Sequence, residues 1–147
     1  MILYKVDHIY DRVKYSNVNL KNIGYFDSLA KAEQAIKQYK LLEGFKEYPN
    51  GFIITAIKID KIRMPRFVYE LILYVHDSDY DYEYERWLSV HTSREMAETS
   101  RKRFEELNRC SLYKSSLNIE LMVDQIPLNE PSAFWSEGFT VSVRGGK

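Results

Sequence analysis

Apolar and polar positions alternate along the chain with two different periods. From Ile2 to Tyr10 the period is two, with Ile2, Tyr4, Val6 and His8 on one face and Leu3 and Ile9 on the other, which is the signature of a strand. Asn19 to Phe26 reads as a second strand. Asp27-Ser28 then offers a helix N-cap, and Leu29, Ala32, Ile36 and Tyr39 follow at helical spacing until Gly44. Pro49-Asn50-Gly51 is a turn, because Pro presets φ and Asn and Gly tolerate φ > 0. The β-branched run Phe52 to Ile59 is a third strand.

The same order then recurs. Phe67 to His76 and Glu85 to His91 read as strands. Thr92-Ser93-Arg94-Glu95 resembles a capping box. Met96, Ser100, Phe104 and Leu107 mark the buried stripe of a second helix, and Leu117 to Gln125 is a final strand. Shifting the chain by 65 residues superimposes Tyr4 on Tyr69, Tyr15 on Tyr80, Ser28 on Ser93, Ala32 on Ala97 and Glu33 on Glu98. It also superimposes Lys37 on Lys102, Leu42 on Leu107, Tyr48 on Tyr113 and Ile54 on Ile119. The expected fold is therefore α+β: two pseudo-repeated ββαβ units, residues 1–64 and 65–147, with antiparallel sheets packed into one compact body. Pro65 interrupts pairing at the join, and Phe134, Trp135 and Phe139 form a C-terminal strand or clasp on the second unit.

Short segments carry a resemblance. Gly44-Phe45-Lys46-Glu47-Tyr48-Pro49-Asn50-Gly51-Phe52 and Trp135-Ser136-Glu137-Gly138-Phe139-Thr140 resemble two signatures of a family of small uncharacterised bacterial and phage domains. The strand-to-helix junction of that family resembles Gly24-Tyr25-Phe26-Asp27-Ser28 leading to Ala32, and Ser89-Val90-His91-Thr92-Ser93 leading to Ala97. One domain of the family carries both signatures, whereas here they fall in different halves, as duplication followed by loss of one signature per copy would leave them. The resemblance implies a fold and no established activity, so it implies no catalytic residue.

Composition narrows the function. The 147 residues carry 21 Lys and Arg against 21 Asp and Glu, a balance that argues against a general nucleic-acid binder. The zero hides an asymmetry. Residues 1–65 hold 11 basic and 7 acidic side chains, a net of +4, and residues 66–147 hold 10 and 14, a net of −4. The single cysteine, Cys110, cannot form an internal disulfide, which points to a reducing cytosol. The opening Met1 to Asp7 lacks the apolar stretch of a signal peptide. No run reaches the ~18 apolar residues of a membrane span.

The acidic excess centres on Asp77-Ser78-Asp79-Tyr80-Asp81-Tyr82-Glu83-Tyr84-Glu85. In extended form Tyr80, Tyr82 and Tyr84 share one face and Asp79, Asp81, Glu83 and Glu85 the other. A row of carboxylates backed by rigid aromatics is a docking surface for a basic protein; the plainer reading is a solvated hairpin tip whose charges protect an edge. Asp77-x-Asp79-x-Asp81 matches the opening of a calcium loop, but Tyr82 stands where that loop needs Gly and Leu88 where it needs Glu. Arg101-Lys102-Arg103 lies among Glu98, Glu105 and Glu106 and reads as a solvated helix face.

The leading expectation is a cytoplasmic inhibitor or immunity-type protein that needs no cofactor or metal. It docks a basic toxin or nuclease through Asp77, Asp79, Tyr80, Asp81, Tyr82, Glu83, Tyr84 and Glu85. One alternative is a metal-dependent hydrolase or nuclease that brings His76 and His91 together across a hairpin with Asp77. Another is a module that associates with itself through a sheet edge.

Overall fold

The computed structural model describes residues 1–9, 20–60, 63–80, 82–108 and 117–138. Among the described residues, six strands and two α-helices form an α+β fold with two three-stranded antiparallel sheets. The first sheet has the order β2-β1-β3, from β1 (Ile2–Ile9), β2 (Leu20–Phe26) and β3 (Phe52–Lys58). The second has the order β5-β4-β6, from β4 (Phe67–Asp77), β5 (Tyr82–His91) and β6 (Leu117–Pro127). Helix α1 (Leu29–Tyr39) follows β2, and α2 (Arg94–Leu107) follows β5.

The chain divides into two compact units. Among the described residues, the first comprises 1–9, 20–60 and 129–138, and the second lies within 63–128. The sequence boundary placed everything after residue 64 in the second unit, Trp135 included. In the structure the final described segment bonds to the first. Asn129 and Ser132 donate their backbone N–H groups to Tyr25 O (2.8 Å) and Ile23 O (2.7 Å), and Tyr39 Oη donates to Ser132 O at 2.7 Å. Trp135, in a single 3₁₀ turn, packs against the first unit's core.

That core contains Val6, Ile23, Phe26, Ala32, Ala35, Tyr39 and Phe45. Helix α1 is anchored through Ala32, Ala35 and Tyr39. Leu29, expected in the buried stripe, is 44% exposed. It opens the helix directly after the N-cap Ser28, whose hydroxyl accepts from Lys31 N at 3.3 Å. The helix ends at Tyr39 rather than near Gly44. From there Leu41 N bonds to Gln38 O (3.2 Å) and Leu42 N to Tyr39 O (2.9 Å), and these tighter turns stop the helix.

The signature around Gly51 has a steric cause. A Cβ at Gly51 would lie 2.3 Å from Ile9 O and 2.7 Å from His8 Nε2. Only glycine allows this close approach of the turn to β1. Gly138 serves the other signature in the same way: its φ is +81°, and a Cβ there would sit 2.2 Å from Glu43 O. The two signatures, distant in sequence, thus meet within the first unit.

Both central strands bury residues on both faces. In β1, Val6 and His8 face the α1 core, while Leu3, Lys5 and Asp7 are buried on the opposite face. In β4, Val68 and Glu70 are buried on one face and Leu71, Leu73 and Val75 on the other. The hairpins share a register displaced by 65 residues: Val6 lies opposite Gly24 and Leu71 opposite Ser89, and each ladder slips once at the next rung. The third strands break that offset. Val6 pairs with Ile54 but Leu71 with Val123, a displacement of 69. Helix α2 has 14 residues where α1 has 11, yet β3 and β6 again begin 65 residues apart, so the offset is lost in the pairing register and not in the element order.

Helix α2 lies against all three strands of its sheet. Ala97 is its one buried residue among those described. Met96 and Leu107, expected on the buried stripe, are 51% and 75% exposed, and Ser100 and Phe104 are half-buried. The cap is Ser93, which accepts from Met96 N at 3.3 Å. Glu95 therefore falls one residue short of the position from which a capping box returns a bond.

Candidate functional site

The acidic run forms the end of the β4–β5 hairpin. The ladder closes with Asp77 opposite Tyr82. Asp79 donates its backbone N–H to Asp77 Oδ1 at 3.0 Å, an Asx turn that starts the reversal. Tyr80, within the turn, is 83% exposed.

Side chains alternate across a sheet, so the register decides which groups meet. Tyr74 lies opposite Glu85 on β5 and Glu120 on β6, and His76 opposite Glu83 and Asn118. These six side chains share one face at the hairpin end of the sheet. His76 Nδ1 lies 3.1 Å from Glu83 Oε1. The Tyr74 hydroxyl donates to Glu83, and this bond raises its pKa above the ordinary phenol value. Burial and the charges of Glu83, Glu85 and Glu120 push it in the same direction. Glu83, Glu85 and Glu120 are all exposed. The arrangement is a negative surface held on strands, with a phenol and an imidazole among the carboxylates.

Of the residues singled out from sequence, Asp77, Asp79, Tyr80, Glu83 and Glu85 lie at this end. Asp81 and the side chains of Tyr82 and Tyr84 lie outside the described residues. The extended form that would align the three tyrosines does not include Tyr80: Asp79 and Tyr80 lie in the turn of the hairpin, and β5 starts at Tyr82, three residues before the expected Glu85. Tyr80 therefore does not continue a tyrosine row along β5. Sequence reasoning missed Tyr74 and Glu120, and it weighed His76 only as a partner of His91. The signal was present in the period of β4, but assigning Glu120 to this face requires the β4–β6 register.

The expected pairing of His76 with His91 does not occur. His91 lies opposite Tyr69, whereas His76 lies opposite Glu83. At about 3.4 Å per residue, the seven residues from 69 to 76 separate the histidines by roughly 24 Å along the ladder. His91 Nε2 is 2.8 Å from Ser89 Oγ, and burial lowers its pKa. No group of three or more His, Cys, Asp or Glu suited to a metal ion occurs among the described residues.

The other polar clusters hold the first unit together. His8 is fully buried between the rings of Phe45 and Phe52, with centroids at 4.8 and 4.6 Å, and its Nε2 donates to Tyr48 O at 2.9 Å. Lys5 forms a buried ion pair with Asp7. Burial raises the Asp7 pKa, against the opposing charge and hydrogen bond of Lys5. Lys21 Nζ lies 5.2 Å from the centroid of the Trp135 ring. On α2, Arg101 bonds to Glu98 (2.7 Å) and Glu105 (2.8 Å), which ties the basic run to its own helix face. Cys110 lies outside the described residues.

No described helix is long and apolar enough to cross a membrane. The chain matches no protein-family profile, no curated protein and no solved structure.

Proposed function

We propose that this chain is a small cytosolic protein-binding protein of the inhibitor or immunity type, and that it docks a basic partner through the acidic end of the β4–β5 hairpin. The observation that carries this reading is the gathering of Glu83, Glu85 and Glu120 around Tyr74 on one sheet face. A nuclease or toxin whose active surface binds phosphates presents Lys and Arg to its substrate. Carboxylates fixed on neighbouring strands answer that pattern with little ordering cost on binding. Asp77 and Asp79 continue the negative surface into the turn, and Tyr80 adds an aromatic anchor at its tip.

The proposal includes an ancestral duplication of a ββαβ unit. The hairpin register that recurs at an offset of 65, with its slip at the equivalent rung, supports it. The meeting of both family-like signatures in one unit supports the resemblance and makes reciprocal loss unnecessary.

The test is purification from the native host at moderate salt, followed by charge reversal. The expected result is a retained basic protein whose affinity falls more than about tenfold in Glu83→Lys/Glu85→Lys/Glu120→Lys, chiefly through slower association. A chain that emerges without a partner, or a partner bound equally by the reversed variant, refutes the reading.

A further inference from the structure

We propose that Ser89 and His91 form a nucleophile–base dyad that cleaves small carboxylic esters, at the end of the second sheet away from the acidic hairpin turn.

The two residues share one face of β5, because side chains two apart on a strand point the same way. Ser89 Oγ lies 2.8 Å from His91 Nε2, within the reach a base needs to take the hydroxyl proton. Burial lowers the His91 pKa, which keeps the imidazole neutral and able to accept that proton at about pH 7. Both side chains are only half-buried, which leaves them open to a small substrate. Across the ladder Tyr69 faces His91 and Leu71 faces Ser89. Arg94, the first residue of α2, holds its guanidinium 5.5 Å from the centroid of the Tyr69 ring. A cation therefore sits on the sheet face where the oxyanion of an attacked ester would develop.

The first unit shows that the hairpin does not require this pair. At the equivalent rungs Tyr4 faces Phe26 and Val6 faces Gly24. Phe26 is 2% exposed within the α1 core, and a Cβ at Gly24 would lie 3.1 Å from Glu130 O. That hairpin fills the two positions with an apolar ring and with a glycine set against the returning chain. The second hairpin puts an imidazole and a hydroxyl there, hydrogen-bonded to each other and accessible. Core packing accounts for the first choice; acyl transfer accounts for the second.

In the reaction His91 Nε2 takes the Ser89 proton as Oγ bonds to the ester carbonyl carbon. The tetrahedral adduct collapses, the bond from that carbon to the alcohol oxygen breaks, and His91 returns the proton to the departing alcohol. Water then attacks the acyl-serine with the same proton transfers, which releases the carboxylic acid and restores both residues.

The test is hydrolysis of 4-nitrophenyl acetate by the whole chain, with a fluorophosphonate probe located by peptide mass spectrometry. The expected result is turnover above buffer, the probe on Ser89, and a loss of more than about a hundredfold in turnover in Ser89→Ala and in His91→Phe. His91→Phe installs the ring that the first unit carries at the equivalent rung, so it should keep the wild-type circular dichroism. If it does not, His91→Ala with turnover recovered by added imidazole takes its place. A chain without turnover, a probe bound elsewhere than on Ser89, or variants as active as wild type overturn the proposal. So does a His91→Ala defect that imidazole leaves unrepaired.

Discussion

Asp27 and Asn129, 102 residues apart in sequence, are joined by two reciprocal hydrogen bonds. Asp27 donates its backbone N–H to Asn129 Oδ1 and accepts at Oδ2 from Asn129 Nδ2, each at 2.9 Å. Lys31 Nζ completes the cluster, 2.8 Å from Asp27 Oδ2. Although slight burial alone would raise it, the bonds from Lys31 and Asn129 hold the Asp27 carboxyl below its ordinary pKa. Asn129 has φ +65°, a left-handed conformation that Asn tolerates better than most residues.

Asn129→Ala removes both bonds and places a Cβ residue without local compensation at positive φ. The expected loss is about 2–3 kcal/mol in urea unfolding. Asn129→Gly restores the conformational freedom but not the bonds, and is expected to recover about 1 kcal/mol. Equal losses in the two variants would show that backbone conformation contributes nothing at this position.

His8 predicts an acid-sensitive first unit. Burial lowers its pKa below 6.5, with the charge of Lys21 adding to the shift and its bond to Tyr48 O opposing it. Between the folded and unfolded values the unfolded chain binds more protons, so stability rises with pH. The contribution is complete above about 6.5 and is lost as pH falls through the window beneath it. His91, also lowered by burial, acts in the same direction. Unfolding free energy measured from about pH 5 to pH 7 should have a positive slope, and His8→Gln should reduce that slope. An unchanged slope would remove His8 from the account.

The second helix should be sensitive at one position and tolerant at its ends. Ala97 is fully buried, so Ala97→Leu overpacks the helix–sheet contact and is expected to cost about 1–3 kcal/mol. Leu107, mostly in water, is expected to change stability by less than about 0.5 kcal/mol on substitution by Lys. Thermal unfolding distinguishes this pattern from the apolar stripe of Met96, Phe104 and Leu107, which predicts the larger loss at Leu107.

Strand and helix identities were readable from hydrophobic period, because a half-buried strand and an amphipathic helix impose different spacings. Ser28 was readable as a cap for a local reason, since the orphan N–H groups of a helix start lie within three residues of it; the second cap was readable one residue early, because the capping-box spacing points to Thr92 where Ser93 does the capping. Burial was less legible. Lys5, Asp7, His8 and Glu70 are buried despite polar identity, since a central strand covered on both faces encloses whatever its alternation places there. The acidic surface was half legible. Glu83 and Glu85 stood out in a local run, but Glu120 joins them only through the register of a strand that follows the whole of α2. The C-terminal clasp was the least legible, because its partners Ile23, Tyr25 and Asp27 belong to the start of the chain.

That clasp fixes an order of events during synthesis. The first unit is interrupted in sequence, with 63–128 intervening before Asn129, so its last bonds wait until the second unit has been made. Closing a free loop of about 100 residues costs only about 2 kcal/mol more than closing one of ten. Even that excess shrinks once the second unit folds. Its first and last strands are neighbours, with Phe67 opposite Pro127 and Leu128 N bonded to Arg66 O at 3.0 Å. The folded insert thus acts as a short splice, and a defect in β4 or β6 would delay maturation of a unit to which neither strand belongs.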